Sequence, residues 1–248
     1  MRGNAMDHRP YIRKTETADT AVLMIHGIMG TPRHFDGFLP LIPESWDIYN
    51  ILLDGHGKTV KDFNATSMEK WKTQVQAYFR ELSSRYEKIW VIAHSMGTLL
   101  SMEAAQLYPE KLMGMIFLAP PLKIRMRPVM VKYSAKVIFG GIDASKTREA
   151  AVARGNSIAP EKKVWRYLGN IPRFLELLRL SHHCRKLAVN VPCVVFLSGK
   201  DELVSVGSGK YLPGCETVLL PKSGHFYFTP EEWKTLADRT QEFFRKNM

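Results

Sequence analysis

The sequence predicts an α/β fold: a mostly parallel central sheet with helices on both faces, and a helical cap inserted in its second half. Three observations carry the expectation. Short apolar runs bounded by turn residues recur along the chain, amphipathic helical patterns lie between them, and one block lacks strand patterning and collects positive charge. The 248 residues suit one large domain with an insertion better than two equal domains. Hydrophobic residues at 45% and charged residues at 24% exclude disordered, collagen-like and low-complexity classes.

The apolar runs are Ala21 to Ile25, Ile48 to Leu53, Ile89 to Ala93, Leu112 to Ala119, Val191 to Leu197 and Val218 to Leu220. Each has the length and composition of a strand buried on both faces of a parallel sheet. Met68, Trp71, Val75, Tyr78, Phe79, Leu82 and Tyr86 fall on one helical stripe, and Thr66 with Glu69 makes a capping-box signature before it. Thr229, Pro230 and Glu232 repeat the start signal ahead of Trp233, Leu236, Ala237, Thr240, Phe243 and Phe244. Strand and helix alternation of this kind implies right-handed crossovers onto a parallel sheet.

The formal net charge is +11, which by itself suggests nucleic acid or an anionic surface as partner. Its distribution alters that inference. From Pro121 to Asn190 there are 15 Lys and Arg against 4 Asp and Glu, while the rest of the chain holds 20 of each sign. This block, residues 121–190, reads as the cap, and residues 1–120 and 191–248 read as the core. Helix-like stretches lie near Thr147 to Ala153, Glu161 to Leu168 and Arg173 to Leu180, separated by Gly-containing turns. The excess admits three meanings: a solvated face, attraction of anionic substrates or a weak contact with anionic membrane surfaces, or nucleic-acid binding. The last ranks lowest because no recognition motif accompanies the charge. Apolar residues such as Met126, Met130, Tyr133, Val137, Phe139, Trp165, Phe174 and Leu178 suit an acyl-chain pocket or, equally, packing within the cap.

The longest stretch without a charged side chain, Ile89 to Met102, has 14 residues, short of the roughly 20 apolar residues a membrane helix needs. Met1 to Lys14 contains no apolar block of the kind that marks a secretion signal. Cys184, Cys193 and Cys215 are odd in number and widely spaced, which fits a reducing compartment. A cytoplasmic location is the resulting expectation.

The chemistry concentrates where strands end. The run Lys88 to His94 leads into Ser95, and a helix pattern follows from Met96. A serine in a strained turn between strand and helix needs small residues two before and two after it, and Ala93 and Gly97 supply them. The following helix would aim its N-terminal amides at a developing oxyanion. A serine hydroxyl also needs a base and a carboxylate to orient that base. Asp201 lies in the loop after the run Val191 to Leu197, and His225 lies in the loop after Val218 to Leu220. Loops at the carboxyl ends of parallel strands gather on one edge. The first strong run leads into His26-Gly27-Ile28-Met29-Gly30, so the backbone N–H groups of Ile28 and Met96 are candidates for an oxyanion hole.

His26-Gly27, Asp54-Gly55-His56-Gly57, Ala93 to Gly97, Asp201 and Ser223-Gly224-His225 together resemble the α/β-hydrolase superfamily. The likeness is to its carboxylesterase and monoacylglycerol-lipase-like branch, often labelled serine aminopeptidase S33-like. It covers most of residues 20–248 apart from the cap. Ala93 stands where the usual GxSxG pattern has its first glycine, and the short chain before Ala21 leaves room for fewer N-terminal strands than the full pattern. The resemblance implies Ser95 as nucleophile, His225 as base, Asp201 as orienting acid, Ile28 and Met96 as oxyanion donors, and a cap that shapes the acyl or alcohol pocket. Asp201 competes with Glu202, and the Asp201-x-x-Val204 spacing, similar to the family's acid loop, favours Asp201.

Each residue has a plainer reading as well: Ser95 as a helix N-cap, His225 as a surface-loop histidine, Asp201 as a turn former. His26, Gly27, Met29 and His94 border the site and are candidates for substrate contact, although His26 and His94 read more readily as structural hydrogen-bonding histidines. Asp54 and His56 read as loop organisers. His182-His183-Cys184 lacks a second ligand pair at metal-binding spacing. The expected activity is a cofactor-independent serine hydrolase acting on small-molecule carboxylic esters, with short and medium acyl chains preferred over long triglycerides. Alternatives are a thioesterase, a carbon–carbon bond hydrolase, an acyltransferase, an aminopeptidase, or a non-catalytic binding protein on the same scaffold. A haloalkane dehalogenase is disfavoured, because that branch carries Asp where this chain has Ser95. The aminopeptidase is disfavoured by a cap poor in acidic groups to hold a free amine.

Overall fold

The computed structural model describes residues 8–248. Its sheet has seven strands: β1 (Tyr11–Arg13), β2 (Thr20–Ile25), β3 (Asp47–Ile51), β4 (Lys88–His94), β5 (Leu112–Leu118), β6 (Cys193–Ser198) and β7 (Glu216–Leu220). Their spatial order is β1-β3-β2-β4-β5-β6-β7. Every neighbouring pair is parallel except β1 with β3. The six apolar runs of the sequence are β2 to β7. The edge strand β1 has no such signature, because Tyr11 and Ile12 are exposed and only its pairing with Ile48, Tyr49 and Asn50 makes it a strand.

Strand periodicity divides the core in two. Leu23, Ile25, Val91, Met115, Val195 and Leu197 face helices α2 (Met68–Arg85) and α3 (Met96–Ala105), and pack with Trp71, Val75, Phe79 and Leu99. Val22, Met24, Trp90, Ile92, Ile116, Val194 and Phe196 face the other way. They pack with Phe35 and Phe38 of a 3-10 stretch, Pro32–Leu41, and with Leu236, Phe243 and Phe244 of helix α7 (Pro230–Asn247). A short helix α1 (Val60–Asn64) precedes α2. The expected start of α2 is one residue early. Ser67 is the N-cap and accepts from the Lys70 N–H, while the Thr66 hydroxyl is buried without a partner among the described residues. The α7 start is as read, with Thr229 accepting from the Glu232 N–H.

Between β5 and β6 the chain forms α4 (Pro128–Phe139), α5 (Thr147–Gly155), a 3-10 stretch (Val164–Asn170) and α6 (Ile171–Cys184). The three helix-like stretches of the sequence match the last three. Helix α4 escapes the sequence reading because it has no buried face: none of its residues is buried. Its tie to α5 is polar, with Lys136 Nζ donating to the buried Glu149 carboxylate at 2.5 Å. In contrast, α6 buries Leu177, Leu180, Ser181 and Cys184 and packs against α3.

All three cysteines are free thiols. Among the described residues, no helix is long and apolar enough to cross a membrane. Part of the Met1 to Lys14 reading, residues 1–7, lies outside the described residues.

Candidate active site

Ser95 sits between β4 and α3 with φ 52° and ψ −124°, a left-handed conformation that side chains other than glycine rarely adopt. Packing enforces it. A Cβ on Gly97 would stand 2.1 Å from the Ile25 carbonyl oxygen, and one on Gly27 would stand 2.8 Å from Ser95 Cβ. Glycine at 97 therefore lets α3 rise directly from the turn, and glycine at 27 lets the loop after β2 close over Ser95. The serine hydroxyl makes no cap bond to α3, so it does not act as an N-cap. The Ser95 N–H donates to the Leu118 carbonyl at 2.8 Å, which ties the turn to the end of β5.

Asp201 and His225 follow β6 and β7 and are buried. The His225 Nδ1 lies 2.8 Å from Asp201 Oδ2. The other carboxylate oxygen, Oδ1, accepts from the N–H groups of Leu203 and Val204, each at 2.7 Å. Those two backbone donors fix the orientation of the carboxylate. Glu202, the competing acid, points elsewhere: its Oε2 accepts the backbone N–H of His225 at 2.9 Å. His94, next to Ser95, donates from Nε2 to the His225 carbonyl at 3.0 Å, so the strand end carrying the serine and the loop carrying the imidazole are joined.

The oxyanion candidates occupy two turns near Ser95. Met96 is the first residue of α3, where backbone N–H groups have no intrahelical acceptor. Ile28 lies in the turn closed by the Gly30 N–H donating to the Gly27 carbonyl at 3.0 Å. Acyl transfer needs an activated serine, an imidazole held in one tautomer and donors for a negative oxygen; the Asp201–His225 contact is of the kind that meets the second.

A family model described as serine aminopeptidase, S33, matches residues 16–212. The chain is a member of the serine aminopeptidase S33 family. A curated relative, the thermostable monoacylglycerol lipase of Bacillus sp. (strain H-257), is 23% identical over 94% of this chain and 93% of its own. Among solved structures, one from work on LipS and LipT, two metagenome-derived lipolytic enzymes, superposes with a TM-score of 0.71 at 22% identity, covering 96% of this chain and 98% of that one. A soluble variant of the monoglyceride lipase of Saccharomyces cerevisiae, solved with a substrate analog, gives a TM-score of 0.71 at 13% identity over 96% and 91% of the two chains. These likenesses show an α/β-hydrolase fold.

In this S33-family chain the remaining candidates have varied surroundings. His26 is fully buried. Its Nε2 accepts the Leu53 N–H at 3.1 Å and its Nδ1 donates to the Gly27 carbonyl at 2.8 Å. Both ring nitrogens are thereby used by backbone, which leaves none for a substrate and corrects its inclusion among substrate-contact candidates. His56 repeats the pattern. It accepts the Met29 N–H at 3.1 Å and donates to the Asp54 carbonyl at 3.1 Å. Both rings are neutral, as accepting an N–H requires; burial holds His26 well below the ordinary imidazole range and His56 at about 4. Gly27 borders Ser95, and Met29, with φ 54°, is tied through its backbone to His56 and to Ser157 of the inserted segment.

Three contributors carried no motif in the sequence. Glu202 holds the His225 backbone; Glu232 binds the Ser223 hydroxyl and accepts the Lys222 N–H at 2.8 Å; and His34 packs edge-on against His94 with ring centroids 5.0 Å apart. The acid at the third helical position of α7 was readable as a cap, but its carboxylate serves the histidine loop. The inserted segment is pinned to the acid loop as it leaves β5. The N–H groups of Arg125 and Arg127 donate to the carbonyls of Leu203 and Glu202 at 2.7 and 2.8 Å. Among the described residues, no three His, Cys, Asp or Glu side chains cluster as metal ligands.

Proposed function

We propose that this protein hydrolyses carboxylic esters through an acyl-enzyme on Ser95, in a catalytic triad with His225 and Asp201. The carrying observation is the buried 2.8 Å contact between His225 Nδ1 and a carboxylate already fixed by two backbone donors. With its proton held at Nδ1, the imidazole presents Nε2 as the base. Ser95 Oγ attacks the ester carbonyl as His225 takes its proton, Asp201 stabilises the imidazolium, and the Ile28 and Met96 N–H groups receive the oxyanion. His225 then protonates the departing alcohol. Water, deprotonated by the same imidazole, releases the acid.

The inserted segment, residues 121–190, acts as the cap that selects the ester. Its relatives' names, monoacylglycerol lipase and monoglyceride lipase, support small lipid-like esters, with short and medium acyl chains favoured over long triglycerides. Weak contact of the basic cap with anionic surfaces and a cytoplasmic location belong to the same reading. Sedimentation with phosphatidylglycerol against phosphatidylcholine vesicles and cell fractionation test them.

A fluorophosphonate probe tests the central claim. The folded wild type labels covalently and Ser95→Ala does not, while turnover of p-nitrophenyl esters falls by about 10⁴-fold or more. Normal ester turnover by folded Ser95→Ala would remove Ser95 from the mechanism. A chain-length series of these esters tests the acyl preference, and faster hydrolysis of emulsified long-chain triglyceride overturns it.

A further inference from the structure

A column of three imidazoles runs from the inserted segment to the proposed base. His34 Nε2 donates to the Gly155 carbonyl at the end of α5 at 3.0 Å. The His34 and His94 rings meet edge-on, and the His94 ring lies 4.7 Å from that of His225. His94 Nε2 holds the His225 carbonyl. Phe226 closes the side of the column, its ring 5.3, 5.7 and 4.7 Å from those of His34, His94 and His225. The Nδ1 atoms of His34 and His94 are buried with no partner among the described residues. A bare Nδ1 is the acceptor form of a ring whose other nitrogen donates, so both rings are neutral.

We propose that His94 is a positioning residue for His225, and that His34 carries the position of α5 into the same column; the proposal rests on the active-site reading above. His225 must hold Nε2 toward the serine within a few tenths of an ångström, and its Nδ1 is fixed by Asp201 alone. Gripping the backbone carbonyl of the same residue, whose N–H Glu202 already holds, fixes the loop from its second side. Neutrality matters here. Burial keeps His94 well below the ordinary imidazole range and His34 at about 3, so neither ring opposes the positive charge that forms on His225.

The test separates positioning from folding. Active sites are counted by fluorophosphonate titration, and kcat per labelled site is measured on a p-nitrophenyl ester. His94→Phe keeps the ring and loses the donor; kcat per site is expected to fall by about tenfold or more with KM within about twofold. His94→Gln keeps an N–H donor and recovers part of the loss. It also carries the test if the Phe variant does not fold. His34→Phe is expected to lower kcat about threefold, since His34 acts on His94 only through a ring contact. Unchanged kcat per site in His94→Gln and His94→Phe, with only thermal stability reduced, overturns the proposal. Active Ser95→Ala would instead sink the underlying reading and this proposal with it.

A second inference rests on a different part of the sheet. The β6–β7 register runs from Val194 opposite Glu216, so one step earlier Cys193, the first residue of β6, comes opposite Cys215, the residue before β7. Neighbouring strands lie about 4.8 Å apart, inside the roughly 4.4–6.8 Å Cα window for a disulfide. Cys193 is buried and Cys215 is partly exposed. We infer that these residues form an intramolecular disulfide on exposure to a peroxide. Cys215 thiolate attacks the peroxide, giving a sulfenic acid and water; Cys193 then attacks that sulfur, releasing a second water. Cys215 is the more accessible thiol, and burial pushes the Cys193 thiol up while the neighbouring Cys193 thiol lowers Cys215, which makes Cys215 the first to react. Hydrogen peroxide treatment followed by intact mass and peptide mapping should show loss of two hydrogens and a 193–215 linked peptide, absent in Cys193→Ser and reversed by dithiothreitol. Sulfinic acid at Cys215, or a dimer linked through it, with Cys193 still alkylatable after unfolding, overturns the inference.

Discussion

The strand-end loops and the inserted helices are built on opposite plans. In the loops, polar side chains are buried and held from two sides. Asp201 is gripped by two amides and an imidazole, and the rings of His26 and His56 each join two backbone groups. In the insertion, α4 buries none of its residues. Val131, Phe139, Trp165 and Leu168 are exposed, and the segment carries the chain's whole charge excess. Few buried contacts mean a low cost of local opening. Under the proposed function the difference reads as a division of labour: reacting groups where the sheet over-determines their geometry, and substrate selection where the structure can give.

The division predicts that single atoms in the loops matter greatly. Asp201→Asn leaves the shape intact but disturbs the imidazole tautomer, so kcat should fall by about 10⁴-fold. Glu202→Gln should lose about tenfold or less, because an amide oxygen can still accept the His225 N–H. Steady-state kinetics on one ester decides between them; equal losses would mean that the two carboxylates share the orienting role. Gly97→Ala comes next. The added methyl would lie 2.1 Å from a carbonyl oxygen, so stability should drop by about 3 kcal/mol. Denaturant melts that match the wild type would show that the turn can relax.

The same contrast explains what could be read from the chain alone. Strands β2 to β6 were legible because burial on both faces requires continuous apolar runs; β7 was legible only as a short apolar run, since its residues are mostly exposed. Ser95 was legible because the turn geometry requires Ala93 and Gly97. Asp201 and His225 were found by position after a strand. The supporting roles of Glu202, Glu232 and His34 were not legible, because contacts between residues far apart in sequence leave no periodicity, whereas His94 was read as a structural hydrogen-bonding histidine and is one. Helix α4 was missed for the opposite reason, since a helix with no buried face carries no stripe. The start of α2 slipped by one residue because Thr66 and Ser67 both have the chemistry of an N-cap.

The buried histidines of the loops also predict a pH response. His56 is held neutral in the fold to about pH 4, whereas in the unfolded chain it takes up a proton near pH 6.5. Between those values the unfolded state binds the extra proton. Stability should therefore fall with acidification from about pH 6.5 to about pH 4, at up to about 1.4 kcal/mol per pH unit for this ring. His56→Gln keeps a polar side chain and should flatten the slope of chemical-denaturation stability against pH. An unchanged slope would mean that His56 already binds a proton in the fold, contrary to its acceptance of the Met29 N–H.

The smallest expected change lies on the insertion itself. Val131→Ser and Trp165→Ser remove apolar groups that are 61% and 63% exposed, so each should shift stability by no more than about 0.5 kcal/mol. Under the proposed division their effect belongs in substrate choice. The ratio of kcat/KM between a longer and a shorter p-nitrophenyl ester should fall in both variants while the rate of fluorophosphonate labelling holds steady. A labelling rate that fell together with the ratio would mean that the cap helps set the reacting geometry, since the probe needs only an activated serine and carries little for a cap to recognise.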